Sequence, residues 1–453
     1  MKKAQVPSWV WMALTVGHLM AFVWAVQTGC WNFPDSGRYL QAANNLHAHG
    51  ELYARPWPPA SRHGQELQEF TIRPIGYPAI VLALHGEGGS TVALLFVQDL
   101  LSLLNLAVVL RWWSRRSRPT NWQWGGALVL VVSFPGQLVY ANAVMSEMAL
   151  QTVLLQMMWF GVLTVGFKQT RYFIGSCAAL VAALLIKPVF YPMAVGMAMV
   201  GVGLAWQWKR PWWALVGLSP VLVVGAYMHW NEQRTGYFHF SSIAEINLLH
   251  YNAAGVVRQT DGAATEEHWV GEVLQQANRQ PTFARRQKFI QTQAVAVVRQ
   301  HPVVYARQHV QGMVACFLDP GRFDICQFLQ LAPPAKGGLL TQSRAGGLVQ
   351  ALGQLPKGLL LLLGLIGMAN TCRLLLAVRG FARLKNGAAA SRHGRWLAVG
   401  LIGYVVLLTG PLGAARFLVP VWPLLLALAL VGFAPPAPAG LLGAEERAPM
   451  RKD

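Results

Sequence analysis

The sequence predicts an all-α polytopic membrane protein, with about ten transmembrane helices and extracytoplasmic loops carrying short interfacial helices. Three observations predict it. The chain is 54% hydrophobic and only 12% charged, where soluble domains carry about 25% charge. Its apolar runs are continuous and about 20 residues long, which suits helices; a transmembrane barrel would show alternating segments of about 10 residues. Its basic residues form short clusters between alternate runs, the pattern of cytoplasmic connectors. That distribution also separates the net charge of +19 from a nucleic-acid footprint, which would gather on one face. No nucleic-acid partner is expected.

The elements follow in order. Met1-Lys2-Lys3 precedes an apolar run too long for a cleaved leader, and no small-residue cleavage pattern follows, so residues 7–29 form a retained signal anchor. Residues 30–88 form a large outer loop. Within it Tyr39, Leu40, Ala43 and Leu46 are spaced for an amphipathic helix over 36–49. Residues 74–84 are apolar but too short to span, which fits an interfacial or re-entrant helix. Span two (91–112) ends in Arg111, Arg115, Arg116 and Arg118. Spans three (122–140) and four (148–167) flank an outer turn at Asn142–Glu147, and Lys168 and Arg171 return the chain inside. The block 172–208 holds two spans, with Lys187-Pro188 at their outer hairpin because proline interrupts a helix. Span seven (213–230) follows Lys209-Arg210. The mixed-charge segment 231–355 reads as a helical extracytoplasmic region. Span eight (356–376) enters the most basic loop, with Arg373, Arg379, Arg383, Lys385, Arg392 and Arg395. Runs 396–408 and 417–433 make the last hairpin, tipped by 410–416.

Domain organisation is therefore an N-terminal transmembrane region (1–230), the outer helical region (231–355), C-terminal transmembrane helices (356–434) and a cytoplasmic tail (435–453) that opens with a Pro-Pro-Ala-Pro linker. Both termini fall on the cytoplasmic side. The acidic residues of the inner segments reduce to Glu445, Glu446 and Asp453. Cys177 and Cys372 sit in apolar spans as buried thiols, and Cys316 with Cys326 lies in an outer segment where a bridge is permitted.

This topology collects polar groups on the outer side: Asp35 with Arg38 and Tyr39, then Arg73 through Tyr77, Ser146-Glu147, Lys187 and Arg416. A carboxylate there can take the proton of an acceptor hydroxyl, and Arg or Lys can hold a phosphate leaving group. Each residue also has a plainer reading. Arg73, Lys187 and Arg416 fit as snorkelling interface anchors, and Glu147 fits as a helix N-terminal charge capped by Ser146. Asp99, mid-span near Gln98 and Asn105, reads as an interhelical hydrogen-bond partner. The scattered histidines have no metal-ligand spacing, and neither a nucleotide-binding nor a serine-hydrolase motif is present.

Four segments together resemble the GT-C superfamily of lipid-dependent membrane glycosyltransferases, in its bacterial branch related to protein O-mannosyltransferases and lipid A aminoarabinose transferases. Asp35-Ser-Gly-Arg-Tyr39 with the Ala42–Leu46 helix and Gly50 is similar to that family's acidic first-loop motif. Arg73-Pro-Ile-Gly-Tyr-Pro78 resembles its R-P-P-G-Y-P segment, with Ile75 replacing the middle proline. Met145-Ser-Glu147 resembles its second acidic site, and Arg416-Phe-Leu-Val-Pro420-Val-Trp-Pro423 its final-span motif. Asn231 to Gly236, followed by Ser241-Ser242 and Asn247-Leu248, also resembles the segment after span seven. One departure stands out: Ser36 follows Asp35 where the mannosyltransferases carry an acidic pair. That leaves open the acceptor, and whether a divalent cation is needed; no other cofactor is implied.

The resemblance implies an inverting transfer from a polyprenyl-phosphate-linked sugar to a glycan, lipid or protein acceptor. It further implies a multi-pass protein of the bacterial inner membrane, among membrane lipids, with a periplasmic active site. Asp35 would be the general base and Glu147 would orient the acceptor or hold a metal. Arg416, then Arg73 and Lys187, would bind the donor phosphate. Arg38, Tyr39 and Tyr77 would contact substrate. Two other classes compete. A flippase or transporter of a lipid-linked sugar would place polar groups at mid-membrane on several helices. An O-antigen ligase or polymerase would lack the acidic first loop.

Overall fold

A computed structural model describes residues 5–61, 63–85, 90–331, 355–386 and 389–434. The Lys2-Lys3 start, part of the second outer segment (332–354), and the 435–453 linker and tail with their acidic residues lie outside the described residues. Among the described residues every regular element is helical.

In chain order the α-helices are α1 (Ser8–Thr28), α2 (Ser36–His49), α3 (Gly64–Glu69), α4 (Gly76–His85), α5 (Val92–Ser117), α6 (Asn121–Val132), α7 (Gly136–Ala141), α8 (Glu147–Phe167), α9 (Thr170–Ile186), α10 (Met193–Trp208), α11 (Trp212–Thr235), α12 (Ile243–Asn247), α13 (Ala254–Asp261), α14 (Ala263–Asn278), α15 (Phe283–Gln300), α16 (Pro302–Leu318), α17 (Arg322–Phe328), α18 (Lys357–Arg383), α19 (Ala389–Thr409) and α20 (Trp422–Phe433). A 3-10 turn, Ala415–Val421, leads into α20.

Among the described residues seven helical stretches are long and apolar enough to cross a membrane, beginning at Ser8, Val92, Glu147, Pro188, Trp212, Lys357 and Ala415. They turn large apolar side chains outward: Met12, Leu19 and Met20 on α1, Leu361 and Met368 on α18. In water such faces would be sticky; against lipid they are the expected surface. The protein is a multi-pass, all-helical membrane protein. The shorter apolar α9 packs against α8, and α19 packs against α8 as well.

Span three departs from the continuous helix expected. It stops at Val132, turns through Phe134-Pro135 and resumes as the short α7, because a proline ring cannot continue the hydrogen-bond ladder. The carbonyl of Leu130 and the hydroxyl of Ser133 beside this break accept from Arg373 at 3.3 and 2.6 Å. Arg373 is therefore not a loop residue. It lies inside α18, 2% exposed, with its guanidinium 4.5 Å from the centre of the Trp422 ring. Cys372 beside it is exposed on the outer face of the helix rather than buried, while Cys177 is buried as expected. Cys316 and Cys326 are free thiols in separate apolar clusters, so the possible bridge does not form.

Polar side chains knit the interior. Ser102 accepts from Gln137 at 2.7 Å and meets His18 Nε2 at 2.9 Å; Gln137 and Gln151 exchange amide bonds at 3.0 and 2.9 Å. Asn105 donates to Gln151 at 3.0 Å, and Asn142 donates to Asp99 at 3.0 Å. These bonds tie helices together, as expected for Asp99.

Two close approaches depend on glycine. A Cβ on Gly76 would lie 2.6 Å from the Leu185 carbonyl oxygen, so only glycine lets α4 rest on the end of α9. Gly380 and Gly432 press α18 against the backbone of α20, each facing a carbonyl of the other helix (Leu428 and Leu376).

Candidate active site

Four helix ends and one turn converge at one end of the bundle. Asp35 follows α1, which terminates at Gly29 in a left-handed conformation with φ of 69°. Ser36 fixes its backbone: the Ser36 hydroxyl donates to the Val144 carbonyl at 2.9 Å and accepts from the Phe33 amide at 2.8 Å, while Val144 N donates to the Trp31 carbonyl at 3.0 Å. Ser36 thus ties the first loop to the turn carrying Glu147. Glu147 opens α8, Lys187 ends α9, Arg73 precedes α4, and Arg416 sits in the 3-10 turn, whose Val419 carbonyl accepts from Gln151 at 2.5 Å.

Arg73 donates to Asp35 Oδ1 at 2.5 Å and Arg416 to Asp35 Oδ2 at 3.1 Å. Lys187 Nζ donates to Glu147 Oε1 at 2.9 Å, and Arg416 Nε lies 3.6 Å from that same oxygen. Arg416 therefore bridges both carboxylates. Five charges from five separate segments form one cluster, and cations outnumber carboxylates. Glu147 is fully buried and its Oε2 has no partner; an orphaned carboxylate oxygen is costly, so it is a ready acceptor for a hydroxyl. Burial pushes the Asp35 carboxyl up, but Arg73, Arg416 and Lys187 outweigh it and hold Asp35 well below the usual carboxylate range. Phe417 backs the cations, its ring centre 5.2 Å from the Arg416 guanidinium and 5.8 Å from Lys187 Nζ.

Three expected substrate contacts are placed differently. Arg38 turns to Glu69, donating to both its oxygens at 3.2 Å, and leaves the cluster. Tyr77 is fully buried, with its hydroxyl donated to Gln98 at 2.7 Å and its ring edge-on to Tyr39 at 4.7 Å. Tyr39 is also buried; its hydroxyl meets Ser146 Oγ at 3.4 Å and Arg73 lies 4.9 Å from its ring centre. Both tyrosines form the wall on which Arg73 rests. Ser146 makes no side-chain cap on α8, because its hydroxyl faces Tyr39.

Two groups in this neighbourhood have no counterpart in the expected set. Tyr140, from the broken third span, donates to Asp324 on α17 at 2.7 Å, and both are buried. The nearest signal in the sequence was the acid-bearing turn Asp319-Pro-Gly-Arg-Phe-Asp324 in an outer segment. The second outer region is also anchored beside the first loop. Gln327 donates to the Asn32 carbonyl at 3.0 Å, Gln330 to Thr28 at 2.7 Å, and Trp24 Nε1 to Phe328 at 2.8 Å.

No family model matches the chain, and no curated protein matches it. Among solved structures it is similar to the crystal structure of ArnT from Cupriavidus metallidurans bound to undecaprenyl phosphate, at 17% identity and a TM-score of 0.38, covering 94% of this chain and 77% of that one. It is also similar to the same protein in the apo state, at 15% identity and a TM-score of 0.33, covering 93% and 78%. Similarity of that degree leaves the chemistry to be argued from this chain's own residues.

Proposed function

We propose that the protein is an inverting GT-C-type glycosyltransferase that moves a sugar from a polyprenyl-phosphate donor to an acceptor hydroxyl at the periplasmic face of the inner membrane. The observation that carries this reading is the position of Arg416, one guanidinium shared between Asp35 and Glu147 with Arg73 and Lys187 beside it. An anion-binding excess of cations next to a carboxylate base is what displacement of a phosphate by a hydroxyl requires.

The acceptor oxygen attacks the anomeric carbon as the bond to the donor phosphate oxygen breaks. Asp35 takes the hydroxyl proton, and the polyprenyl phosphate departs as a monoester held by Arg416, Arg73 and Lys187. In the resting cluster Asp35 is too well neutralised to be a strong base. A donor phosphate that claims Arg416 and Arg73 strips Asp35 of its counter-ions and raises its basicity where the proton must be taken. The free Glu147 Oε2 receives a second acceptor hydroxyl. The described part of the second outer region, anchored beside the first loop through Gln327 and Gln330, helps select among glycan, lipid and protein acceptors. A divalent cation does not fit this donor set: three cations already engage Asp35 and Glu147 Oε1, and their excess positive charge repels a further positive ion from the remaining Glu147 oxygen. Among the described residues no three His, Cys, Asp or Glu side chains gather around one point.

The test is transfer by purified protein from polyprenyl-phosphate sugars to envelope acceptors, read by mass spectrometry. Failure with every polyprenyl-phosphate sugar, alongside intact folding, removes the reading. In the same assay EDTA is expected to leave the rate unchanged; a loss restored by added Mg2+ or Mn2+ would show that a metal is required.

Orientation has its own check. With Cys372 replaced by serine, Asn32→Cys beside the site is expected to react with a membrane-impermeant maleimide in intact cells. Arg115→Cys at the opposite, basic end should react only after permeabilisation. Both positions are exposed, and the reverse labelling would turn the active site to the cytoplasm.

A further inference from the structure

Asp324 stands outside the set used above, yet it is joined to it. Its Oδ1 accepts the Tyr140 hydroxyl at 2.7 Å. The Tyr140 ring packs against Phe33 with centroids 5.6 Å apart, two residues before Asp35. The titratable and charged groups facing Asp324 are Tyr140 on α7, Arg416 on the 3-10 turn, Glu147 on α8 and Asp319 just before its own helix, with Arg322 acting on Asp319. From α18 the facing group is Asn370, which donates to the Asp319 carbonyl at 3.1 Å and accepts from Arg373 at 2.6 Å. Asp319 and Asp324 line one small cavity with Pro135 and Gly136, where the third span breaks, and with Ala415 beside Arg416. Asp319 Oδ2 is buried there without a partner.

We propose that Asp324, held by the Tyr140 hydroxyl on the cavity it shares with Ala415, is a positioning residue that sets how much positive charge Arg416 presents to the donor phosphate. The inference rests on the donor reading above. With Asp35 and Glu147 ionised against three cations, the cluster keeps one positive charge in excess. An ionised Asp324 cancels that excess, and a protonated Asp324 leaves it in place. Burial pushes the Asp324 carboxyl up to about 7, Tyr140 and Arg416 oppose the rise, and Asp319 and Glu147 add to it. Burial raises Asp319 as well. The charge at the site therefore changes within the working range of an envelope enzyme. Donor is gripped below neutrality, and the more highly charged monoester product is let go above it.

The test uses the full-length protein in nanodiscs and farnesyl methyl phosphate, a prenyl phosphodiester whose own charge is fixed from mildly acid to mildly basic pH. Wild type should bind it roughly tenfold more tightly at about pH 6 than at about pH 8, the effect of one partly screened charge. Asp324→Asn should bind with the tighter affinity at both pH values. Tyr140→Phe removes a hydrogen bond that favours the ionised carboxylate, so the pH step should move upward. Thermal unfolding separates this from damage. A carboxyl raised on folding gives its full stability below its unfolded value near 4, and that is lost as pH rises through about 7. Asp324→Asn should thus melt no lower than wild type at about pH 8. A pH step that persists in Asp324→Asn, a step unmoved in Tyr140→Phe, or a lower melting point of Asp324→Asn at that pH would each overturn the inference while leaving the donor reading intact. No binding by wild type at either pH would remove the donor reading, and this inference with it.

Discussion

Asp35→Asn is expected to abolish sugar transfer, with a loss of about 10²–10⁴-fold in kcat, while the protein still folds. Asparagine has nearly the same shape and its one carbonyl oxygen still accepts from Arg73 or Arg416, while the Ser36 bonds that hold the loop are untouched, so the loop keeps its path. What disappears is the basic oxygen. Donor binding should survive or tighten, because the variant removes a negative charge from a phosphate site. The measurement is single-turnover transfer with donor affinity in parallel, and full transfer by Asp35→Asn would remove this residue from the chemistry. Because the Arg73, Arg416 and Lys187 charges hold the resting carboxyl far below its usual range, Asp35 stays ionised across mildly acid pH. Any acid limb in kcat/KM, which reports the free enzyme, must then belong to another group. The same depression has a sign for stability: the contribution is present above the unfolded value near 4 and is lost as pH falls through the lower folded value.

Arg416→Gln is the second large effect, with transfer lowered by about 10²–10³-fold, the scale for removing one charge-stabilising donor from a developing anion. The loss should fall mainly on kcat, since the phosphate gains charge as the sugar leaves and the guanidinium interacts most strongly with that later form. Arg416→Lys should be intermediate: it keeps the charge but cannot reach Asp35 and Glu147 with one planar fork. A variant in which only KM for donor rises would make Arg416 a docking residue; unchanged kinetics in Arg416→Gln would remove the phosphate-holding role.

Much of this was legible in the sequence because it follows from local chemistry. The helix over 36–49 appears with those bounds because its apolar spacing, and Gly50 with φ of 69° at its end, both encode it. The convergence of Asp35, Arg73, Glu147, Lys187 and Arg416 followed from topology, since alternating spans put their flanking residues at one end. Side-chain direction did not follow. Arg38 is three residues from Asp35, which places the two near each other on a turn, but Glu69 lies 31 residues on and claims Arg38. Tyr77 carries a motif-like position, yet Gln98 on α5 draws its hydroxyl inward. Arg373 looked like part of a basic loop because charge was read without a partner; broken backbone on α6 and the Trp422 ring supply one. Asp324 was invisible because its importance lies in a bond across 184 residues.

The pairing of Arg416 with Asp35 spans 381 residues, and this has a consequence for biogenesis. Synthesis and insertion proceed from the N-terminal side, so Asp35, Arg73, Glu147 and Lys187 are all made long before the arginine that joins them is translated. Until the segment carrying Arg416 has been inserted and α20 has packed on α18 through Gly380 and Gly432, nothing bridges Asp35 and Glu147. On the proposed reading, catalytic competence therefore waits for the segment that carries Arg416, and an N-terminal part folded without it lacks the bridge.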